Sequence, residues 1–291
     1  MASQLIYVNG QFVEKDEAVI SVYDHGFLYG DGVFEGIRVY DNNVFKLKEH
    51  IDRLYESAHS IMLTIPHSKD ELQQIVVETV RKNNLSNAYI RVVVSRGAGD
   101  LGLDPRSCAT PTVIVIVEEL AIYSDALYTE GLKLASVVNR RNSPDVLNPQ
   151  IKSLNYLNNI LVKLSSVQAN ADEALILNNQ GYVTEGSADN IFIVKDGMIK
   201  TPPIYLGALE GITRNVIIEI AKEQGYELEE SPFTLHDVYV ADEVFLTGTA
   251  AEIIPVVCVD NRVIGNGEPG QVTKDLLDVF REQVLTDGVP V

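Results

Sequence analysis

The chain is poor in the residues from which metal centres, disulfide scaffolds and nucleic-acid surfaces are built. Its two cysteines, Cys108 and Cys258, stand far apart in apolar, strand-like sequence and read as buried free thiols in a reducing compartment. The five histidines form no HxxH or HExxH pattern, so no metal site is expected. Lys and Arg number 23 against 41 Asp and Glu, a formal net charge of −18 with no basic cluster, which excludes a nucleic-acid partner on electrostatic grounds. Against that field an anionic cofactor needs a local positive pocket, so individual Arg and Lys positions carry information. The longest apolar run, Val113 to Val117 and its neighbours, falls far short of the roughly 20 residues that span a bilayer. The opening MASQLIYVNG holds no basic stretch followed by an apolar one; no signal peptide is expected, and the location expected is cytoplasmic.

What is present is an ordinary globular composition, 46% hydrophobic and 22% charged, over 291 residues, enough for two domains of moderate size. Leu5–Val8 and Gln11–Val13 flank Asn9-Gly10, a hairpin signal because both turn residues favour positive φ. Residues 48–63 put Ile51, Leu54, Tyr55, Ala58, Ile61 and Met62 on one helical face ahead of Pro66. Ser68-Lys-Asp-Glu71 is a capping-box pattern for a second helix running to about Asn83, and strands follow at 88–95 and 112–117. An α+β domain over 1–117, a connection over 118–127 and a larger, β-rich α/β domain over 128–291 are expected. The larger domain reads as strands at 132–138, 173–177, 182–185, 190–194, 243–246 and 254–259, with helices at 155–169, at 213–224 and from about Thr273.

Four local features suggest chemistry. Lys152 lies between a loop bearing Pro149 and an apolar helix, a place where a lysine is usually a solvated charge. Glu185 follows a strand and precedes Gly186-Ser187-Ala188, which by itself reads as a turn. Gly211-Ile212-Thr213 opens a helix and offers N–H groups and a hydroxyl to an anion, or simply caps it. Gly248-Thr249-Ala250-Ala251-Glu252 ends a strand in small residues. Together they are the parts needed to hold pyridoxal 5'-phosphate (PLP): an amine, an acid for the pyridine nitrogen and two phosphate-binding turns.

The stretches Ile151-Lys-Ser-Leu-Asn-Tyr156, Thr184-Glu-Gly-Ser-Ala-Asp-Asn-Ile-Phe192, Leu209-Glu-Gly-Ile-Thr-Arg214 and Gly248-Thr-Ala-Ala-Glu252 occur in the order found in fold-type-IV aminotransferases. Upstream, Tyr29-Gly-Asp-Gly-Val-Phe-Glu-Gly-Ile-Arg38, His50-Ile-Asp-Arg-Leu54 and Tyr89-Ile-Arg91 extend the resemblance to nearly the whole chain. Within that family the chain most resembles the branched-chain group. The resemblance implies a two-domain α+β enzyme with PLP between its domains, acting on branched-chain amino acids and 2-oxo acids and forming a homodimer or larger homo-oligomer. It further implies that Lys152 binds PLP covalently and is catalytic, Glu185 faces the ring nitrogen, Tyr156 the O3′ atom, and Arg53, Ile212, Thr213 and Thr249 the phosphate. Phe34, Gly36, Tyr89, Arg91 and Tyr156 resemble the side-chain pocket, Thr249 and Ala250 the turn that takes the α-carboxylate, and Tyr29 and Leu101 to Leu103 parts lent by a second subunit. Tyr123 is a further candidate lining residue, and Arg38 matches an arginine of the branched-chain group without an assigned role.

The short Lys152-Ser-Leu-Asn-Tyr156 form also resembles D-amino-acid aminotransferases, and aminodeoxychorismate lyase shares the scaffold. A non-catalytic binding protein is a third reading, against which Lys152, Glu185, Arg53 and Thr213 all stand. Phe34, Tyr89 and the leucines, taken without the motifs, read as core. Tyr89-Ile-Arg91 and Phe34-Glu-Gly-Ile-Arg38 favour an apolar, aromatic pocket with one arginine, suited to an aliphatic side chain and a γ-carboxylate in turn.

Overall fold

The computed structural model describes residues 4–119 and 123–291. The chain falls into two compact units: Met1–Leu120 with Ile151–Asn155 and Val284–Val291, and Ala121–Gln150 with Tyr156–Gln283.

In the first unit, β1 (Leu5–Val8) and β2 (Gln11–Glu14) form the expected hairpin, with φ of 48° at Asn9 and 91° at Gly10. After α1 (His25–Tyr29) come β3 (Gly32–Tyr40), β4 (Asn43–Phe45), α2 (Leu47–Ser60), α3 (Lys69–Asn83), β5 (Ala88–Ser95) and β6 (Thr112–Glu118). The C-terminal strand Gly288–Pro290 completes an antiparallel sheet in the order C-terminal strand-β4-β3-β5-β6-β1-β2. One face of the sheet (Val33, Ile37, Val39, Ile90, Val92, Val94, Val113, Val115) packs against Leu47, Ile51 and Leu54 of α2 and Leu72, Val76 and Val80 of α3. Each such side chain taken from water is worth about 1.5–3 kcal/mol. At the start of α3 the capping box forms: Ser68 Oγ accepts from the Glu71 N–H at 3.2 Å, and Ser68 N–H donates to the Glu71 carboxylate at 2.7 Å.

Helix α2 stops at Ser60, short of the expected 63, because Met62 turns left-handed (φ 54°) and Leu63 N–H folds back onto Ala58 O; Met62 is 89% exposed, not on the buried face. No sequence pattern marks β3. This central strand is buried on both faces, so it shows no alternation, and it carries a glutamate.

The second unit opens with α4 (Asp125–Glu130), β7 (Leu132–Arg140), α5 (Pro144–Leu147) and α6 (Leu157–Gln168). Strands β8 (Glu173–Leu177), β9 (Val183–Glu185), β10 (Asn190–Lys195) and β11 (Met198–Thr201) lead to α7 (Ile212–Glu223). Then come β12 (Glu227–Glu230), α8 (Leu235–Tyr239), β13 (Glu243–Gly248), β14 (Glu252–Val259), β15 (Arg262–Val263) and α9 (Gln271–Gln283). The strands run in the order β12-β11-β10-β13-β14-β7-β8-β9, and β9 pairs again with β10 through Glu185 opposite Asn190. That second pairing closes six strands into a ring, around a core that includes Leu134, Leu175, Ile191, Leu246 and Ile254.

Four expectations are corrected here. The segment with Lys152 belongs to the first unit, not the second, because it pairs with β3: Phe34 N–H donates to Lys152 O at 3.0 Å and Leu154 N–H to Gly32 O at 2.9 Å. The C-terminal residues return to the first unit because Gly288–Pro290 pairs with β4. Of the connection expected over 118–127, residue 118 ends β6 and α4 begins at Asp125, while residues 120–122 lie outside those described. Both cysteines are free, as expected, but half-buried rather than buried.

Candidate active site

The first unit contributes one face of its sheet. Alternation along β3 sends Phe34, Gly36 and Arg38 to the side opposite the core, and β5, paired with it (Gly36 opposite Arg91, Arg38 opposite Tyr89), adds Tyr89 and Arg91. The Arg91 guanidinium lies 4.5 Å from the centre of the Phe34 ring, and the Lys152 Nζ lies 4.7 Å from the same centre. Arg91 Nη2 donates to the Tyr89 hydroxyl at 3.2 Å. A Cβ on residue 36 would stand 1.9 Å from that hydroxyl, so Gly36 is required for Tyr89 to lie across the strand and meet Arg91.

On the core side of the same strand Glu35 is fully buried among apolar residues. Its carboxylate accepts from Arg53 Nε (2.7 Å), Arg53 Nη2 (2.9 Å) and His50 Nδ1 (2.7 Å). Burial by itself would raise the Glu35 pKa, but the adjoining Arg53 and His50 outweigh it and hold the carboxyl well below the usual carboxylate range. Burial also pushes the His50 pKa down. One turn beyond Arg53, Ser57 Oγ accepts from the Lys152 N–H at 3.1 Å.

The second unit gathers its share where β9, β10 and β13 meet. Glu185, at the end of β9, is buried; Oε2 accepts from the Leu209 N–H and Oε1 meets Arg141 Nη2, both at 2.8 Å. Arg141 is also held by Gly207 O, Asn158 Oδ1 and Asn159 Oδ1. Asn190, opposite Thr247 on β13, donates to Leu209 O at 2.9 Å, and its Oδ1 would lie 2.0 Å from a Cβ on Gly211. Gly211 therefore has to be glycine for α7 to begin against this strand end. Helix α7 starts there with no side-chain cap, with the Thr213 side chain buried in its first turn. Uncapped N–H groups beside a buried hydroxyl suit an anion. Thr249, Ala250 and Ala251 turn tightly from β13 into β14, Glu252 being left-handed at φ 56°, a conformation rare for a non-glycine residue. Tyr128 from α4 braces the turn by donating to Ala251 O at 3.0 Å.

Beside that turn sits Asp189, buried, with Oδ1 against Gly248 and Oδ2 3.5 Å from the Tyr123 hydroxyl. Burial first, then the nearby Glu173, pushes the Asp189 pKa to about 8, and burial likewise drives the Tyr123 hydroxyl far upward.

Each expected residue thus has a defined place. Lys152, Phe34, Gly36, Tyr89 and Arg91 are brought together in the first unit. Glu185 and the Ile212–Thr213 helix start converge on one strand end in the second, where Thr249 and Ala250 follow β13, and Tyr156 directly precedes α6 without a side-chain capping bond. Arg53 is held by Glu35, and Arg38 stacks on Tyr40 at 4.6 Å. Tyr29 donates to Leu101 O at 2.6 Å, while Leu101 and Leu103 are 67% and 79% exposed. The sequence reading missed Arg141, Glu35, Asn190 and Asp189 as members of the site. The last three stood inside quoted motifs, whereas Arg141 had no motif to mark it.

The residues present fit PLP. A buried carboxylate faces the ring-nitrogen role, an uncapped helix start flanked by a glycine cradle suits a phosphate, and Thr247 Oγ1, buried beside Asn190, has no hydrogen-bond partner among the described residues. The model of the amino-transferase class IV family matches residues 32–259. The chain belongs to that family. A Methanocaldococcus jannaschii protein, provisionally named a branched-chain-amino-acid aminotransferase, is 55% identical to it over 98% of both chains. The crystal structure of the Escherichia coli branched-chain amino acid aminotransferase superposes with a TM-score of 0.94 at 37% identity, covering 96% of this chain and 94% of that one. The T.th. branched-chain amino acid aminotransferase complexed with N-(5'-phosphopyridoxyl)-L-glutamate gives 0.92 at 41% identity, covering 98% and 95%. The fold is that of the fold-type-IV aminotransferases, and PLP is the cofactor of the family.

Proposed function

We propose that this class IV aminotransferase moves the amino group of L-leucine, L-isoleucine or L-valine to 2-oxoglutarate by a ping-pong mechanism. The observation that carries the reading is the Phe34 ring, with the Lys152 amine 4.7 Å and the Arg91 guanidinium 4.5 Å from its centre. An apolar ring desolvates an aliphatic side chain beside the reactive amine, and the arginine gives a γ-carboxylate a partner it cannot do without once buried. The names of the relatives point the same way.

In this reading Lys152 is the amine that holds PLP and moves the proton of the substrate α-carbon. PLP supplies an electron sink for that carbon. Glu185, oriented by Arg141, holds a proton at the ring nitrogen, and Tyr156 lies beside O3′. Arg53, Ile212, Thr213 and Thr249 bind the phosphate, and the Thr249–Ala250 turn takes the α-carboxylate. Tyr29, Leu101 and Leu103 belong with Phe27 to an exposed apolar surface in the first unit, which supports self-association into a homodimer or larger homo-oligomer. Among the described residues no helix is long and apolar enough to cross a membrane, in keeping with a cytoplasmic enzyme.

A substrate panel of leucine, isoleucine, valine and D-alanine with 2-oxoglutarate, and aminodeoxychorismate alone, tests the assignment. Turnover of the three L-amino acids is expected. Robust turnover of D-alanine with none of L-leucine moves the chain to the D-amino-acid branch. Borohydride reduction and peptide mass spectrometry should find the pyridoxyl group on Lys152, and a label on any other lysine refutes that role.

A further inference from the structure

Glu35 touches none of the pocket residues, yet it sits between two that do, Phe34 and Gly36, and it faces the opposite side of β3. A carboxylate on the core side of a strand is costly unless fully paired. Here three N–H groups from a single face of α2 satisfy it, two of them from Arg53. An arginine side chain has rotamer freedom to lose on binding an anion. The fork on Glu35 removes that freedom in advance and turns the guanidinium so that its Nε–Nη2 edge points at the strand. The same helix holds the reactive lysine, since Ser57, four residues beyond Arg53, accepts from the Lys152 N–H, and Lys152 O accepts from the Phe34 N–H of β3. Strand, helix and lysine segment therefore close a loop of hydrogen bonds, and Glu35 is the member that fixes Arg53 within it.

We propose that Glu35 is a positioning residue for cofactor binding: by holding the Arg53 fork against β3 it sets the guanidinium for the phosphate, in register with Lys152 and with the Phe34–Gly36 pocket strand. The inference rests on the proposed phosphate role of Arg53. His50 completes the device. As a neutral imidazole donating from Nδ1 it satisfies the third carboxylate lone pair without adding a competing positive charge.

The test compares equilibrium binding of PLP and of pyridoxal, which lacks the phosphate, to the apo-protein. Arg53→Ala should lower the preference for PLP over pyridoxal by about 10- to 100-fold, as expected for a lost charge-assisted contact. Glu35→Gln should lower it by at least about tenfold while pyridoxal affinity changes by less than about threefold, and the double variant should lose no more than Arg53→Ala alone, because the two act as one unit. Ser57→Ala loosens the same helix without touching Glu35 and should keep the preference. Binding of pyridoxal also reports that a variant is folded. Should Glu35→Gln bind neither compound, Glu35→Asp, which retracts the charge by one methylene, should show the selective loss instead. If Arg53→Ala keeps the preference, the phosphate role of Arg53 fails and this inference with it. Should only Arg53→Ala lose it, or should Ser57→Ala lose it as much as Glu35→Gln, the positioning role of Glu35 alone is refuted.

Discussion

Replacing Arg91 by leucine separates the two demands that a branched-chain transaminase makes on one pocket. In the wild type the guanidinium stacks 4.5 Å from the Phe34 ring and donates to the Tyr89 hydroxyl at 3.2 Å, half-buried on the sheet face that also receives Lys152. A γ-carboxylate bound there gains a charge-assisted hydrogen bond worth about 1.5–3 kcal/mol, and leaving it buried without a partner costs more. The half-reaction with glutamate or 2-oxoglutarate should therefore fall by about one to two orders of magnitude, and by up to three if the carboxylate remains desolvated. Leucine makes no such contact. Its half-reaction loses only what the stacked cation contributes to holding Phe34, about 0.5–1 kcal/mol, a factor of roughly two to five. Stopped-flow spectra of each half-reaction, in single turnover, report the two rates separately. Equal losses for leucine and glutamate would mean that Arg91 is structural or takes the α-carboxylate, and the dual-pocket reasoning would be wrong.

Two further predictions concern the second unit. Glu185→Gln keeps the volume and leaves Arg141 its contacts with Gly207, Asn158 and Asn159, so PLP should stay bound while proton removal from the substrate α-carbon slows by on the order of a hundredfold; an unaltered single-turnover rate means the carboxylate is not at the ring nitrogen. Asp189 binds its proton up to a pH of about 8 in the folded chain, against an ordinary value of 3.8, so between these values the folded state holds more protons than the unfolded one and stability falls as pH rises. Asp189→Asn should remove this loss, at most roughly 6 kcal/mol at the alkaline end. The difference between variant and parent unfolding free energies, from urea titrations at pH 5, 7 and 9, should grow with pH. A flat difference contradicts the buried, protonated acid.

Patterns were readable where a local rule acts alone. The Asn9-Gly10 turn, the Ser68–Glu71 capping box and the strands at 88–95 and 173–177 follow from short-range geometry, and the structure has them at those residues. β3 was not legible because burial on both faces erases alternation, and β12 was not because its Glu-Leu-Glu-Glu sequence is that of a charged edge. The motif residues Lys152, Glu185 and Gly211–Thr213 were recognisable by order and spacing.

The sequence by itself determined which family the chain belongs to, since the motifs around Lys152, Glu185 and Gly211–Thr213 are side chains and short loops whose identity survives in one dimension. Only the tertiary structure decided what makes them work together. Arg141 reaches Glu185 across 44 positions because β7 and β9 flank β8 in a closed ring, and Gly36 is glycine because Tyr89, on the neighbouring strand, needs the space. Lys152 joins the first unit through hydrogen bonds to β3 that no local pattern encodes, and Glu35 finds Arg53 and His50 only once α2 packs on that strand. Such partners are chosen by packing between distant segments, where a long-range contact leaves no periodicity or spacing to read.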